Sequence, residues 1–171
     1  SSQLSGQGFR EIINNSLTAV SYYADNEVYP LDRCISLMNP LSQDLGVMRQ
    51  TLLYGGLESI AHNINRRSAD LRLYEFGNVY FRDPAKESSK EKPLAPFSEG
   101  MRLGIWLTGN FRNASWNSTA EKASIFDLKA IVEGIFHRLC IPGGLLVFNQ
   151  KHTPIYSAAL EISTRDGHHL D

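Results

Sequence analysis

Two side chains in this chain have a type and a setting that could serve chemistry. Arg49 stands in MNPLSQDLGVMRQTLLYGGLESIAHNINRR (38–67), a stretch patterned as a strand at its start and as a helix at its end. A planar guanidinium at such a junction can hold a carboxylate or a phosphate through two parallel hydrogen bonds. Its alternative role is structural, tying loop carbonyls or a partner chain, and that role is favoured because no second basic group converges on it in sequence. Glu75 lies among apolar residues in LRLYEFGNVYF (71–81). A carboxylate there must face water or find a donor, and a structural partner, Arg72 or Arg66, is expected ahead of acid–base work.

Other chemistries find no footing. The chain has no P-loop, G-x-G-x-x-G turn, G-x-S-x-G elbow or H-E-x-x-H helix. Its histidines are His62, His137, His152, His168 and His169. Neighbours along a strand point apart, so the terminal pair reads as a solvated tail or turn and not as a metal grip. Cys34 and Cys140 form no CxxC arrangement and sit by apolar runs, where a thiol acts as a small buried hydrophobe. The sequons at Asn14, Asn113 and Asn117 are taken as chance triplets. Seventeen basic and eighteen acidic residues give a net charge of -1, without the basic excess of a self-sufficient nucleic-acid binder. No apolar run has the length to span a bilayer, and a cytoplasmic setting with no membrane partner is expected.

The elements that must position Arg49 and Glu75 follow from periodicity. Residues 8–20 pass from a helix end into a strand carrying Ile12, Ile13, Thr18 and Val20. CISLMN (34–39) reads as a second strand stopped by Pro40, which has no ladder donor. Leu53, Leu57, Ile60, Ala61 and Ile64 share one helical face. Strands are expected at 71–81 and 101–109, joined by the polar loop DPAKESSKEKP. Ser124 and Asp127 form a capping signature before the helical face Leu128, Ile131, Val132, Ile135 and Leu139, which Pro142, Gly143 and Gly144 terminate. LLVFNQ and SAALEIST complete the strands.

Loop-joined strands with few helices predict a single α+β domain over 1–171 with a mostly antiparallel sheet. With no initiating Met and a stop just after the turn at Asp166 and Gly167, a fragment truncated at both ends is expected.

Three stretches together resemble the core domain of the β chain of bacterial phenylalanine–tRNA synthetase. GFREIINNSLT (8–18) is similar to its Gly-aromatic-x-Glu segment. NPLSQDLGVMRQTLLYGGL (39–57) looks like its Asn-Pro-Leu-Ser signature and Met-Arg-x-Ser/Thr-Leu-Leu run. NRRSADLRLYEFGNVY (65–80) is similar to its Leu-Arg-Leu-Phe-Glu-x-Gly-x-Val stretch. Weaker similarity continues in IFDLKAIVEGI and KHTPIYSAAL, so nearly the whole chain is covered. Tyr54, Gly56 and Thr51 depart from the usual Pro, Leu and Ser.

The resemblance implies a class II synthetase-like module, an antiparallel sheet flanked by helices, that carries no catalytic site, cofactor or metal of its own. A working class II site uses Phe-Arg-x-Glu after a strand, whereas this chain reads Phe81-Arg82-Asp83-Pro84. In the family, ATP, magnesium and phenylalanine belong to the holoenzyme, a heterotetramer whose catalytic alpha subunit is the implied partner and which engages tRNA as a whole. The resemblance places Asn39, Pro40, Arg49, Asn65, Arg66 and Glu75 at the subunit interface. The competing expectation is a ligand-binding or residual ATP- or amino-acid-binding module with Arg82 and Arg49 as clamps. A third, weaker expectation is an RNA-contacting surface on loop 82–93 and Arg112.

Overall fold

The computed structural model describes residues 1–164, Gln43 by its backbone alone. Where the sequence leads one to expect one domain, the contacts divide the chain into two compact units, Ser1–Trp106 and a second beginning at Leu107.

The first unit opens with α1 (Ser2–Gly6), β1 (Arg10–Glu11), β2 (Leu17–Thr18) and a 3-10 turn at Val20–Tyr23. It continues through β3 (Val47–Met48), α2 (Leu53–Ile64), β4 (Leu71–Arg82) and β5 (Phe97–Thr108), the last two residues of β5 belonging to the second unit. β4 is the centre of a three-stranded sheet in the order β1-β4-β5. β1 runs parallel to it, with Arg10 opposite Leu73 and Glu11 opposite Tyr74. That pair is an exception to the expected antiparallel pattern, because α1 and β1 precede β4 by a long crossover that includes α2. The loop predicted at 83–93 does join β4 to β5, and its base is tied by Asp83 N–H donating to the Pro96 carbonyl at 2.7 Å.

Two expected strands are shorter than their patterns. Val20 enters the 3-10 turn that buries Tyr23, because packing of that ring outweighs local β preference. Segment 34–39 forms one antiparallel bridge, Ser36 opposite Val47, before turning at the exposed Asn39 and Pro40. Leu37 N–H donates to the Gly46 carbonyl and Met48 N–H to the Ile35 carbonyl, closing a short hairpin arm.

Two apolar clusters fill the unit. One joins Leu52, Ile60, Leu71, Leu73, Val79 and Trp106, with Ile12 and Phe81 against it. The other joins Tyr23, Cys34 and Val47, with Tyr22, Tyr29 and Tyr54 against it. The inward face of α2 is Gly56 and Ile60, so only part of the predicted apolar stripe is covered; Leu57, Ala61 and Ile64 are exposed. Gly56 is there because Trp106 is. A methyl group at Gly56 would fall 2.0 Å from Trp106 Cε2, and one at Gly104 would fall 2.3 Å from its Cη2.

In the second unit, β6 (Asn110–Arg112) and β7 (Glu121–Lys122) pair antiparallel, as do β8 (Leu146–Thr153) and β9 (Tyr156–Thr164). Between the two pairs lies α3 (Ile125–Arg138), whose start is the predicted capping box. Asp127 N–H donates to Ser124 Oγ at 3.3 Å, and Ser124 N–H donates to Asp127 Oδ2 at 2.9 Å. The Ser124 hydroxyl, which donates to Asp127 Oδ2 at 2.6 Å, and then the Ser124 N–H hold the Asp127 carboxyl below its usual range. Ile131 and Leu146 are buried here, and Lys129 Nζ lies 4.2 Å over the Phe148 ring. Leu139 is exposed instead of completing the helical face, since the helix ends at Arg138 and Cys140 has φ 59°. Cys140 is therefore exposed, against expectation, while Cys34 is buried.

Gly56→Ala forces a methyl group into the indole and is expected to lower stability by about 1–3 kcal/mol. Gly6→Ala, with nothing within 4 Å, is the control expected to change little. Urea-denaturation midpoints of the two variants check the difference.

Candidate functional site

Arg49 directly follows β3 and precedes the first residue of α2, Leu53, by four positions, and it is fixed by backbone and side chain alike. Its N–H donates to the Ser16 carbonyl at 2.9 Å, and its own carbonyl accepts from Tyr80 N–H at 2.9 Å. The side chain then runs under β4. Nε donates to the Asn78 carbonyl at 2.9 Å, and one terminal nitrogen, Nη1, donates to Glu75 Oε1 at 2.7 Å. Both side chains are buried, with 7% and 2% of their surface exposed.

The strand explains why the pair forms. Side chains alternate along β4, which puts Leu71, Leu73, Glu75, Gly77, Val79 and Phe81 in one phase. Leu71, Leu73 and Val79 belong to the core cluster, so Glu75 is a carboxylate on an apolar face. Gly77 supplies the space: a methyl group there would lie 2.2 Å from Arg49 Nη2. A carboxylate followed two residues later by glycine, in phase with core residues, is the sequence signal for a buried cation, and reading Arg72 or Arg66 as the partner missed it. Those two arginines serve other segments. Arg66 Nη1 donates to the His62 carbonyl and Arg72 Nη1 to the Gln7 carbonyl.

Asn14 closes the ring around Glu75. Its N–H donates to Oε1 at 3.3 Å and its Nδ2 to Oε2 at 2.8 Å, while its own Oδ1 accepts from Ser59 Oγ on α2 at 3.0 Å. The carboxylate thus accepts from a guanidinium and from two groups of Asn14, which is how a buried charge becomes tolerable. Beside the ring a cavity of about 210 Å3 opens among Asn14, Arg49, Thr51, Tyr54, Asp44 and Glu58. On the side of the second apolar cluster, Gln50 N–H donates to the Tyr23 hydroxyl at 3.1 Å, and its Nε2 donates to the Pro30 carbonyl and to Cys34 Sγ. Tyr22 stacks on Tyr54 at 4.6 Å and donates to Glu58 Oε1 at 2.5 Å. The bond to Glu58 and then burial push the Tyr22 phenol up to about 12; burial does the same for Tyr23.

Of the six residues placed at an interface by resemblance, Arg49 and Glu75 are brought together inside the unit, and Asn39, Pro40, Asn65 and Arg66 are exposed. Arg82 is at the end of β4, and Pro84 occupies the loop after it. A proline offers neither charge nor N–H, so position 84 lacks the carboxylate of the expected Phe-Arg-x-Glu pattern. His168, His169 and the turn at Asp166 and Gly167 lie outside the described residues. Among the described residues no helix is long and apolar enough to cross a membrane.

The fold of this chain has a solved counterpart. The pyrrolysyl tRNA synthetase PylSc of Desulfitobacterium hafniense superposes with a TM-score of 0.59 at 12% identity, over 96% of this chain and 52% of that one. The fold is therefore α+β and class II aminoacyl-tRNA synthetase-like. The family described as phenylalanyl tRNA synthetase beta chain CLM domain matches residues 1–163, and the chain belongs to it. The phenylalanine–tRNA ligase beta subunit of Bacteroides fragilis is 51% identical over 168 residues, and that of Porphyromonas gingivalis 46% over 167. In Salinibacter ruber the identity is 34% over 144 residues, 81% of this chain. The chain spans about a fifth of the length of these relatives, 20% for the Bacteroides protein.

Arg49→Ala leaves Glu75 buried without its cation and is expected to lower stability by about 3–5 kcal/mol, whereas replacing both partners by apolar residues of similar volume recovers most of the loss. Urea denaturation of the single and double variants measures this. Tyr22 and Tyr23 keep their protons in the folded chain to about pH 12 while the unfolded chain releases them near 10.0. The stability they hold below pH 10.0 therefore declines as pH rises from 10.0 to about 12. In a phenolate absorbance titration, Glu58→Gln should bring Tyr22 back toward its ordinary value and leave Tyr23 where it is.

Proposed function

We propose that this chain is a non-catalytic structural module of a phenylalanine–tRNA ligase beta subunit. It packs on the catalytic alpha subunit and so supports ATP-dependent attachment of phenylalanine to its tRNA in the cytoplasm. ATP and magnesium act in the partner, and tRNA is engaged by the whole assembly. The names of the relatives support the enzyme. The replacement of the expected nucleotide-binding carboxylate by Pro84 supports the absence of chemistry here.

The observation that carries the docking role is on α2. Its inner side is spent on Gly56 and Ile60, yet Leu57 and Ile64 stay 47% and 49% exposed with Ala61 between them. An apolar stripe of this kind, rimmed by the polar Asn65 and Arg66, suits burial against a second subunit. Asn39 and Pro40 at the hairpin turn, flanked by the exposed Met38 and Leu41, are a second exposed segment that suits the same role. Arg49 and Glu75 contribute from beneath, holding β3, β4 and the start of α2 in one register. An obligate interface built on these elements would bury on the order of 2,000 Å2 or more.

Sedimentation velocity of the chain mixed with the catalytic alpha chain tests this reading. A mixed complex is expected, and the double variant Leu57→Asp, Ile64→Asp should weaken it without unfolding the chain. The reading falls if a folded chain forms no complex, or if the complex ignores both substitutions.

A further inference from the structure

The first unit has a second opening, apart from the cavity beside Arg49. A cleft of about 620 Å3 lies between residues 34–36 and the base of the β4–β5 loop, bounded among others by Arg82, Pro84, Lys86, Pro96 and Phe97. Its floor has an unusual feature. Ile35 and Leu37 spend their carbonyl and N–H on the hairpin arm with β3. Backbone groups alternate along an extended segment, so the N–H and C=O of Ser36 face the opposite edge, and Ser36 lines the cleft. Among the described residues neither group has a hydrogen-bond partner.

We propose that this cleft takes an extended peptide segment from another chain, which adds as a strand along residues 34–36, centred on Ser36, and sets one carboxylate on Arg82. The backbone argues for a peptide and against a lone anion. An anion would use the Ser36 donor and leave the acceptor idle, whereas a strand satisfies both at once, as edge addition does elsewhere. Pro84, Pro96 and Phe97 offer apolar wall to branched side chains that alternate with the acid. Charge selects the acid. Lys86 is already bound to Asp83 at 3.1 Å, and its ammonium is the main reason the Asp83 carboxyl lies below its usual range. Arg82 has no carboxylate partner among the described residues. Glu87 also lines the cleft, so one carboxylate is accepted and a run of them is not. The cleft is formed entirely by the first unit and does not depend on the subunit reading above.

The probe is the peptide acetyl-Thr-Val-Thr-Glu-Thr-Val-Thr-amide, titrated into the isotope-labelled chain while backbone amide resonances are followed. Saturable movement of the Ser36 amide and slowed exchange of its proton are expected. The same peptide with Gln for Glu should bind about tenfold more weakly, the loss of one charge-assisted bond. Arg82→Gln should lower affinity for the Glu peptide to the same degree and leave the Gln peptide unaffected. N-methylating alternate peptide amides should abolish binding in one phase and spare it in the other, a control that leaves the protein untouched. The proposal is overturned by an unmoved Ser36 amide, by equal affinity for both peptides, or by equal effects of both methylation phases. Displacement of the peptide by oligouridine would assign the cleft to nucleic acid and overturn it as well.

Discussion

The ion pair between Arg49 and Glu75 is the constraint from which the first unit is built. Both charges are almost fully withdrawn from water, and withdrawal costs several kcal/mol per ion unless geometry and further hydrogen bonds offset it. Here they do: Glu75 is held by Arg49 and by Asn14, and Arg49 also bonds a β4 carbonyl. Each of these bonds joins parts of the chain far apart in sequence. Shifting β4 by one residue against its sheet neighbours would point Glu75 to the opposite face and leave Arg49 without its carboxylate. The pair adds little net energy compared with an apolar filling, but it makes one register much better than its neighbours.

That register organises what lies to either side. Asn14 links the carboxylate to Ser59, so the first turns of α2 are set by the same ring that sets the strand. Gln50, next in the chain after Arg49, reaches the Tyr23 hydroxyl and the Pro30 carbonyl, which fixes the tyrosine cluster and the start of the hairpin arm. The arm in turn leaves Ser36 with an open edge. A polar junction buried between two apolar clusters thus determines which groups remain available at the surface.

Much of this was legible from sequence. The helix from Leu53, the two long strands around the polar loop, and the capping box at Ser124 and Asp127 all follow from periodicity and local hydrogen-bond chemistry. What was not legible depended on contacts between distant segments. Segment 34–39 has strand composition, yet its partner β3 is two residues long, so only one bridge forms. Glu75 stands in the sequence as a carboxylate that needs a donor, but that the donor is Arg49 and not a nearer arginine depends on the Arg49 side chain running under β4, which sequence distance does not reveal. Half of the apolar stripe on α2 pointed outward because Gly56, chosen by the indole of Trp106, rotates the inner side of the helix toward residues 56 and 60.

The interlock of Gly56, Gly104 and Trp106 also bears on how this chain can diverge. Neither glycine can acquire a side chain while the indole is in place, and a smaller residue at 106 would leave a void between helix and strand. Every single step away from the trio passes through a less stable protein. The three positions, one on α2 and two on β5, are therefore expected to drift as a block, kept together or exchanged together for a different filling of the same space.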